Sequence, residues 1–294
     1  LHKEYRRQRQ MCIRDRLKGV NTQMADPNEA PTIPQPAATV LLVRDTQDDG
    51  IEVFLIERAA KTNFGGAYVF PGGKVDLEDS SSEISEICQG VSDEDASSAL
   101  GIEKGGLAYW AAVIRECFEE VGILLAYRKD GSNFDPKDES ENDRFINYRK
   151  RLNDGEKVLA EMCESEDLFL ASDRLAYLAH WITPKIEKRR YDTRFFIAQA
   201  PEGQEGIHDG SESVNSIWIK PEEALKQFEE GKLLMIMPTI KNLESICGFT
   251  NTKELLENKN AINPYDIATI EPKFFMENGK MVGLMPGDEG YEDH

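Results

Sequence analysis

The segment from Arg115 to Ile123, Arg-Glu-Cys-Phe-Glu-Glu-Val-Gly-Ile, constrains the fold of this chain more than any other part of it. It places Glu116, Glu119 and Glu120 at positions i, i+3 and i+4, which share one face of a helix. Like charges at that spacing oppose helix formation unless a cation lies between them. Hard divalent ions such as Mg²⁺ take oxygen ligands, usually together with water and substrate phosphates. The segment therefore predicts an acidic helix that binds a divalent metal ion.

A glycine-rich turn, Phe70-Pro71-Gly72-Gly73-Lys74, precedes this acidic segment. Glycine has no β-carbon, so a backbone carbonyl in such a turn can approach a metal ion closely. Apolar residues recur at helical spacing through the acidic segment and predict a helix from about Leu107 to Val121, which Gly122 would end. A Gly-Gly turn followed by an acidic helix is typical of a divalent-metal site for phosphate chemistry.

The two segments resemble the signature of the Nudix hydrolases, enzymes that cleave a diphosphate joining a nucleoside to another group. The family pattern is G, five residues, E, seven residues, then R-E-U-x-E-E-x-G-U, in which U is bulky and aliphatic. The second half matches from Arg115 onward, with Cys117 at the first U position. The first half matches at Gly73, but Asp79 stands at the glutamate position, and the arginine is at 115 instead of 87, 28 residues later. Coenzyme A and acyl-coenzyme A diphosphatase-like members include proteins with a long insertion at this place, so the interruption indicates that branch.

The resemblance implies an α/β fold, an α/β/α sandwich around a mixed sheet, and Mg²⁺ or Mn²⁺ as cofactor. On the family pattern, Glu116, Glu119 and Glu120 are catalytic residues and metal ligands, and the Gly72 carbonyl is a further ligand. Arg115 is the fourth catalytic residue, and it would hold a carboxylate of the motif through a bidentate contact. Which carboxylate is the general base stays open. A ligand from outside the motif is predicted at Glu212, which precedes Ser216–Ile219 as such ligands do in relatives.

Strands and helices alternate along the chain and predict one domain from residue 37 to 294. The first two strands are predicted at Thr39–Arg44 and Ile51–Arg58, and the last helix at Thr239–Cys247. Two segments are expected to be additions to this domain. Residues 77–105 are polar and are predicted to form a surface loop that contributes little core, with a short helix near Ser92–Leu100. Residues 128–172 are predicted to be helical and amphipathic. They are expected to act either as a lid or acyl-group wall, or only as a packing appendage. Residues 1–36 are predicted to be a disordered or non-native leader.

The net charge of −19 argues against broad electrostatic binding to nucleic acid or to an anionic membrane. No apolar run approaches the roughly 20 residues that span a bilayer. The five cysteines are widely spaced without a C-x-x-C pair, so neither a disulfide framework nor a zinc site is indicated. These features predict a soluble, intracellular, cytoplasmic protein. The sequence contains no indication of the oligomeric state.

The scarce positive charge is concentrated in one place, at Lys185, Lys188, Arg189, Arg190 and Arg194. This cluster is either a solvated basic loop or a phosphate clamp, for which the planar arginine fork is well suited. We predict that Lys188, Arg190 and Arg194, together with Phe70, bind substrate. Coenzyme A carries a 3′-phosphate besides its diphosphate, so a clamp separate from the metal site would select it.

The sequence thus predicts a diphosphatase whose partner is a nucleoside diphosphate-linked small molecule. The expected reaction converts coenzyme A or acyl-coenzyme A to adenosine 3′,5′-bisphosphate and (acyl-)phosphopantetheine. One alternative is a Nudix diphosphatase that acts on ADP-ribose, NADH or another dinucleotide. A second alternative is a non-catalytic Nudix module that binds a nucleotide without cleaving it.

Overall fold

A computed structural model of the chain describes residues 24–26, 29–62, 64–208, 210, 212–277 and 280–293. The strands within these ranges are β1 (Gln35–Asp45), β2 (Ile51–Arg58), β3 (Tyr68–Val69), β4 (Gly72–Lys74), β5 (Ala126–Arg128), β6 (Leu168–Leu170), β7 (Ala176–Ile182), β8 (Tyr191–Gln199), β9 (Ser213–Ile219), β10 (Thr269–Ile270), β11 (Lys273–Glu277) and β12 (Lys280–Leu284). The helices are α1 (Ser82–Ile87), α2 (Asp93–Leu100), α3 (Leu107–Val121), α4 (Glu139–Asn153), α5 (Leu159–Ser165), α6 (Pro221–Glu229), α7 (Met237–Ser245) and α8 (Thr252–Asn260).

A mixed sheet of eight strands forms the centre of the fold. Six strands lie in the order β10-β7-β8-β1-β2-β3, β4 pairs with β1, and β9 pairs with β2. The β1–β8 and β7–β10 pairs are parallel, and the other pairs in the sheet are antiparallel. Two further two-stranded sheets, β5–β6 and the hairpin β11–β12, lie outside this sheet.

Both faces of the sheet are covered, because the side chains of the central strand alternate between two apolar cores. Val40 and Leu42 of β1 belong to the core that also contains the buried side of α3. Leu41 and Val43 belong to the second core, which the helices α6, α7 and α8 cover. This arrangement of helices, sheet and helices confirms the predicted α/β/α sandwich.

The segment 77–105 is more deeply packed than its composition suggested. A 3-10 turn (Leu77–Ser80), α1 and α2 occupy it, and Ile84, Ala96 and Leu100 are buried in the core that contains α3. The prediction that this segment contributes little core is therefore wrong. Its few apolar side chains lie on the inward faces of short helices, and a count of large apolar residues does not detect that arrangement.

The segment 128–172 has the predicted helical, amphipathic character. Its apolar residues Phe145, Leu152, Leu159 and Met162 are all buried in the core shared with α3. The strands β5 and β6, which precede and follow these helices, pair antiparallel in a short two-stranded sheet that the sequence did not indicate.

The chain continues beyond the last helix that we predicted, which is α7. It forms α8, then adds β10 to the edge of the main sheet beside β7, and then forms the hairpin β11–β12. Over the described part of the chain, no helix is both long and apolar enough to cross a membrane.

Most of the predicted leader, residues 1–23, lies outside the described residues. The described part runs along the loop before β8: Ala25 N–H donates to the Ile186 carbonyl at 2.8 Å, and Thr32 Oγ1 donates to the Lys188 carbonyl at 3.0 Å. The first strand begins at Gln35, four residues before the predicted strand and two residues inside the predicted leader.

Candidate active site

The helix α3 carries the three predicted metal ligands along one edge of a large cavity. Its apolar side is buried against the sheet, and it ends at Gly122, whose φ of 74° is a left-handed conformation that favours glycine. Glu116, Glu119 and Glu120 all line the cavity. The sequence therefore predicted both the bounds of this helix and the side of it that faces the cavity.

Two glycines allow β4 to lie between α3 and β1. Gly72 has a φ of 153°, and a β-carbon there would lie 2.3 Å from the Ala38 carbonyl oxygen. A β-carbon at Gly73 would lie 2.4 Å from the carboxylate carbon of Glu116, so any larger residue would displace that carboxylate. The Gly72 N–H donates to Glu120 Oε2 at 2.8 Å, which places the glycine turn directly beside this glutamate.

Arg115 connects the acidic helix to the interrupted first half of the motif. Its Nε and Nη2 donate to the two carboxylate oxygens of Asp79, both at 2.9 Å. Its Nη1 donates to Glu116 and Glu119 at 3.0 and 3.1 Å. The predicted bidentate contact is therefore made with Asp79, the residue that stands in the glutamate position of the family pattern. Asp79 is only 3% exposed and also accepts the Asp76 N–H at 2.8 Å.

The pKa values of the three glutamates are all raised, which indicates that their negative charges are unfavourable in this environment. Burial raises the pKa of Glu116 to about 7; Arg115 opposes this shift, and Glu119 adds to it. Burial also raises the pKa of Glu119, against the effect of Arg115. The pKa of Glu120 is raised well above its ordinary value by burial and by the charge of Glu116. Charge neutralisation, by protons or by a metal ion, therefore stabilises this group.

The donor set fits a hard divalent cation, because it consists of carboxylate oxygens beside an open cavity. In this conformation Glu116 and Glu119 point to Arg115, and Glu120 points to Gly72. Accordingly, among the described residues, no group of three His, Cys, Asp or Glu side chains is already arranged to bind one ion.

Glu212, the predicted ligand from outside the motif, lies on the same cavity. The pairing of β9 with β2 brings it there, because its carbonyl accepts the Ala59 N–H at 2.8 Å. The charge of Glu212 contributes to the raised pKa of Glu120. Arg58, at the end of β2, lines the cavity too, and its charge acts on Glu120 in the opposite direction. Our sequence reasoning missed Arg58, although its place at the end of a predicted strand was visible.

The cavity has a volume of about 1650 Å³ and extends well beyond the glutamates. Positively charged side chains that line it are Arg58, Lys74, Arg115, Lys157 and Lys241. Of these, Lys157 lies 3.6 Å from Glu78, and Lys241 pairs with Glu244 at 2.5 Å. Sequence analysis assigned no role to Arg58, whose charge acts on Glu120, or to Lys74, the last residue of the glycine-rich turn.

The predicted phosphate clamp is not supported by the structure. Arg190 is 7% exposed, and its guanidinium donates to the carbonyls of Thr183 and Thr32 and to Glu271. Arg194 is equally buried and donates to the Leu100 carbonyl and the Tyr177 hydroxyl. Both guanidinium groups are thus buried and donate hydrogen bonds to acceptors of the protein itself, rather than facing the cavity as a phosphate clamp would.

The other two predicted substrate-binding residues occupy different environments. Lys188 is exposed and is not part of the cavity lining. Phe70 is 2% exposed, belongs to the second core and borders the cavity at the start of the glycine turn. We therefore keep only Phe70 in the candidate site.

Comparison with solved structures identifies the fold as that of the Nudix hydrolases. A Nudix hydrolase from Alicyclobacillus acidocaldarius superposes with a TM-score of 0.63 and 24% identity, over 77% of this chain and 96% of that one. The family profile described as the NUDT19 Nudix domain matches residues 91–246, just over half of the chain. The chain therefore belongs to the NUDT19 branch of the Nudix domain family.

Curated relatives of this branch carry the name acyl-coenzyme A diphosphatase NUDT19. The relative from Xenopus laevis is 26% identical over 239 residues, which cover 69% of this chain and 62% of the relative. The human relative is 22% identical over 278 residues, which cover 83% of this chain and 73% of the relative. The chain thus spans somewhat under two thirds of the Xenopus protein's length.

Proposed function

We propose that the protein is a metal-dependent diphosphatase that hydrolyses coenzyme A or acyl-coenzyme A. The observation that carries the proposal is the group of three cavity-lining glutamates on α3, held between the glycine turn and the Arg115–Asp79 pair. The name of the curated relatives supports the substrate class. The products would be adenosine 3′,5′-bisphosphate and (acyl-)phosphopantetheine.

The ion is proposed to be Mg²⁺ or Mn²⁺, bound by Glu116, Glu119 and Glu120, with the Gly72 carbonyl and Glu212 as further ligands. When bound, such an ion neutralises diphosphate charge and lowers the pKa of a coordinated water. Arg115 is proposed to keep Glu116 and Glu119 in place, since it contacts both and is itself anchored by Asp79. Arg58 and Lys74 are proposed to contact the phosphate oxygens of the substrate.

The reaction consumes one water. Its oxygen forms a bond to one phosphorus of the diphosphate, the bond from that phosphorus to the bridging oxygen breaks, and the bridging oxygen leaves with the other phosphate. The water loses a proton to a base, and two phosphate monoesters result. One of the glutamate carboxylates that line the cavity is proposed as the base.

The proposal is tested with a panel of substrates in the presence of Mg²⁺ or Mn²⁺. The panel contains coenzyme A, an acyl-coenzyme A, dephospho-coenzyme A, ADP-ribose, NADH and a diadenosine polyphosphate, and mass spectrometry identifies the products. We expect kcat/KM to be highest for the coenzyme A compounds and activity to be lost with EDTA. A clear preference for ADP-ribose or NADH would refute the substrate class. Binding without any cleavage would point to a non-catalytic module.

A further inference from the structure

The cavity that contains the glutamates continues to an apolar end. The hairpin β11–β12 contributes Phe275, Val282 and Leu284 to this end, and the register of the hairpin places these three side chains on one of its faces. The start of α7 and the chain just before it contribute Met235, Met237 and Ile240. One continuous space therefore joins a highly acidic site to an apolar wall built partly from a segment that lies outside the matched family region, residues 91–246.

The apolar end keeps hydrocarbon surface accessible inside the cavity. Phe275, Val282, Leu284 and Met237 are each only partly buried. Apolar surface of this kind is stabilised when an apolar ligand covers it and excludes water. The whole cavity, at about 1650 Å³, is also larger than the roughly 300–1000 Å³ that usually accommodates a compact small ligand. Its size and its two different ends fit a long ligand with a charged part and an apolar part.

The hairpin wall is anchored to the rest of the protein, although it is separate from the main sheet. An isolated two-stranded hairpin is at best marginally stable, so these anchors determine its position. Arg190 Nη2 donates to Glu271 Oε1 at 2.6 Å, the Tyr291 hydroxyl donates to the Glu271 carbonyl at 2.8 Å, and Lys273 Nζ donates to the Tyr291 carbonyl at 2.8 Å. Arg190, which we had predicted to bind phosphate, thus helps to hold the segment that leads into the hairpin.

We propose that the apolar end between β11–β12 and the start of α7 binds the acyl chain of an acyl thioester whose diphosphate lies at the glutamates. This inference rests on the proposed function, because the acyl group is placed by the position of the diphosphate. The uncharged pantetheine arm would span the distance between the two ends. An uncharged hydrocarbon chain is also compatible with the many carboxylates of the cavity, which would repel a second anionic group.

The test compares two variants in the wall with a matched control. Leu284→Gln and Met237→Gln change little in volume but replace apolar surface with an amide on the two segments that line the apolar end. Met276→Gln makes the same kind of change on the same hairpin, at a residue that is 64% exposed and outside the cavity lining. Binding of acetyl-coenzyme A and octanoyl-coenzyme A is measured by calorimetry in EDTA, where turnover does not occur. Circular dichroism melts check that each variant is folded.

We expect the parent to bind octanoyl-coenzyme A more tightly than acetyl-coenzyme A. Each wall variant should weaken octanoyl-coenzyme A binding about five- to tenfold, in line with the value of small apolar groups in a hydrophobic pocket. The same variants should change acetyl-coenzyme A binding less than about twofold, and Met276→Gln should change neither. No chain-length preference in the parent, equal weakening for both ligands, or an equal effect of Met276→Gln would each overturn the proposal.

Hydrolysis assays on the same proteins distinguish failure of this inference from failure of the proposed function. If the parent binds with the expected chain-length preference but cleaves no coenzyme A compound, the diphosphatase proposal fails and the acyl site stands. If the parent cleaves these compounds without any chain-length preference in binding, the acyl site fails and the diphosphatase stands.

Discussion

Replacing Arg115 with methionine tests the central interaction of the candidate active site. The guanidinium is held in a bidentate contact with Asp79, and the side chains are 11% and 1% exposed. Removing one partner of a buried ion pair leaves the other charge without compensation, which costs about 3–5 kcal/mol. Glu116 and Glu119 lose their cationic partner in the same step. We therefore expect Arg115→Met to lower the free energy of unfolding by at least about 3 kcal/mol.

The measurement is urea unfolding followed by tryptophan fluorescence, with equal m-values for parent and variant. Arg144→Met is the control, because Arg144 makes the same bidentate contact with Glu166, at 2.9 Å for both bonds, but is 48% exposed. Such a pair contributes at most about 1 kcal/mol. The double variant Arg115→Met/Asp79→Asn should be more stable than Arg115→Met, since it removes the uncompensated charge. A loss below about 1 kcal/mol for Arg115→Met, or a double variant less stable than the single one, would refute this reasoning.

Three further predictions concern the surroundings of the same site. Glu120→Gln should lower kcat by about 100-fold or more and leave thermal stability in EDTA unchanged, because burial already favours the neutral form of this carboxyl; activity within a few-fold of the parent would contradict the metal assignment. Arg149→Met should lower the free energy of unfolding in urea by about 1–3 kcal/mol, because Arg149 donates to the carbonyls of Glu119 and Glu120, at the end of α3, and of Ile207, at 2.8–2.9 Å. Lys150→Met, at the exposed neighbouring residue, is the control, and an equal effect of both variants would contradict the role of Arg149 in capping α3. Glu187→Gln should flatten the pH dependence of stability, because burial raises the pKa of Glu187 from its ordinary value to about 7. The folded parent binds more protons than the unfolded chain between about pH 4.5 and 7, so it loses about 1 kcal/mol of stability as the pH rises, after allowance for solvent screening. A difference in stability between parent and variant that stays constant from pH 5 to pH 8 would contradict this.

The sequence predicted the parts of the fold that depend on local periodicity. The bounds of α3 were predicted correctly because apolar residues recur at helical spacing and Gly122 supplies a left-handed end. The strand Ile51–Arg58 was likewise predicted to the residue. Side-chain alternation and turn residues are local signals, so a single sequence is sufficient for them.

The errors concern long-range partners, which local patterns do not determine. Arg190 and Arg194 were predicted to bind phosphate because the scarce positive charge is concentrated around them, but both have carbonyl, hydroxyl or carboxylate partners in the interior. The apolar wall from β11–β12 was missed because its two short strands depend on anchors such as the Arg190–Glu271 contact. Asp79 was interpreted as a departure from the motif. Its spacing from Gly73, which places it at the glutamate position of the family pattern, nevertheless identifies the residue that pairs with Arg115.

The Asp79–Arg115 contact also shows that the two halves of an interrupted motif can be brought together at a small cost in free energy. The two residues are 36 positions apart, whereas the uninterrupted pattern separates them by 8. In a flexible chain, the entropy of loop closure grows only with the logarithm of loop length, so the longer loop costs about 1.3 kcal/mol more to close. Burial of Ile84, Ala96 and Leu100 from within that loop offsets a cost of this size. An insertion in the middle of a sequence motif can therefore be retained, provided that the inserted residues fold onto the same core as the helix that they precede.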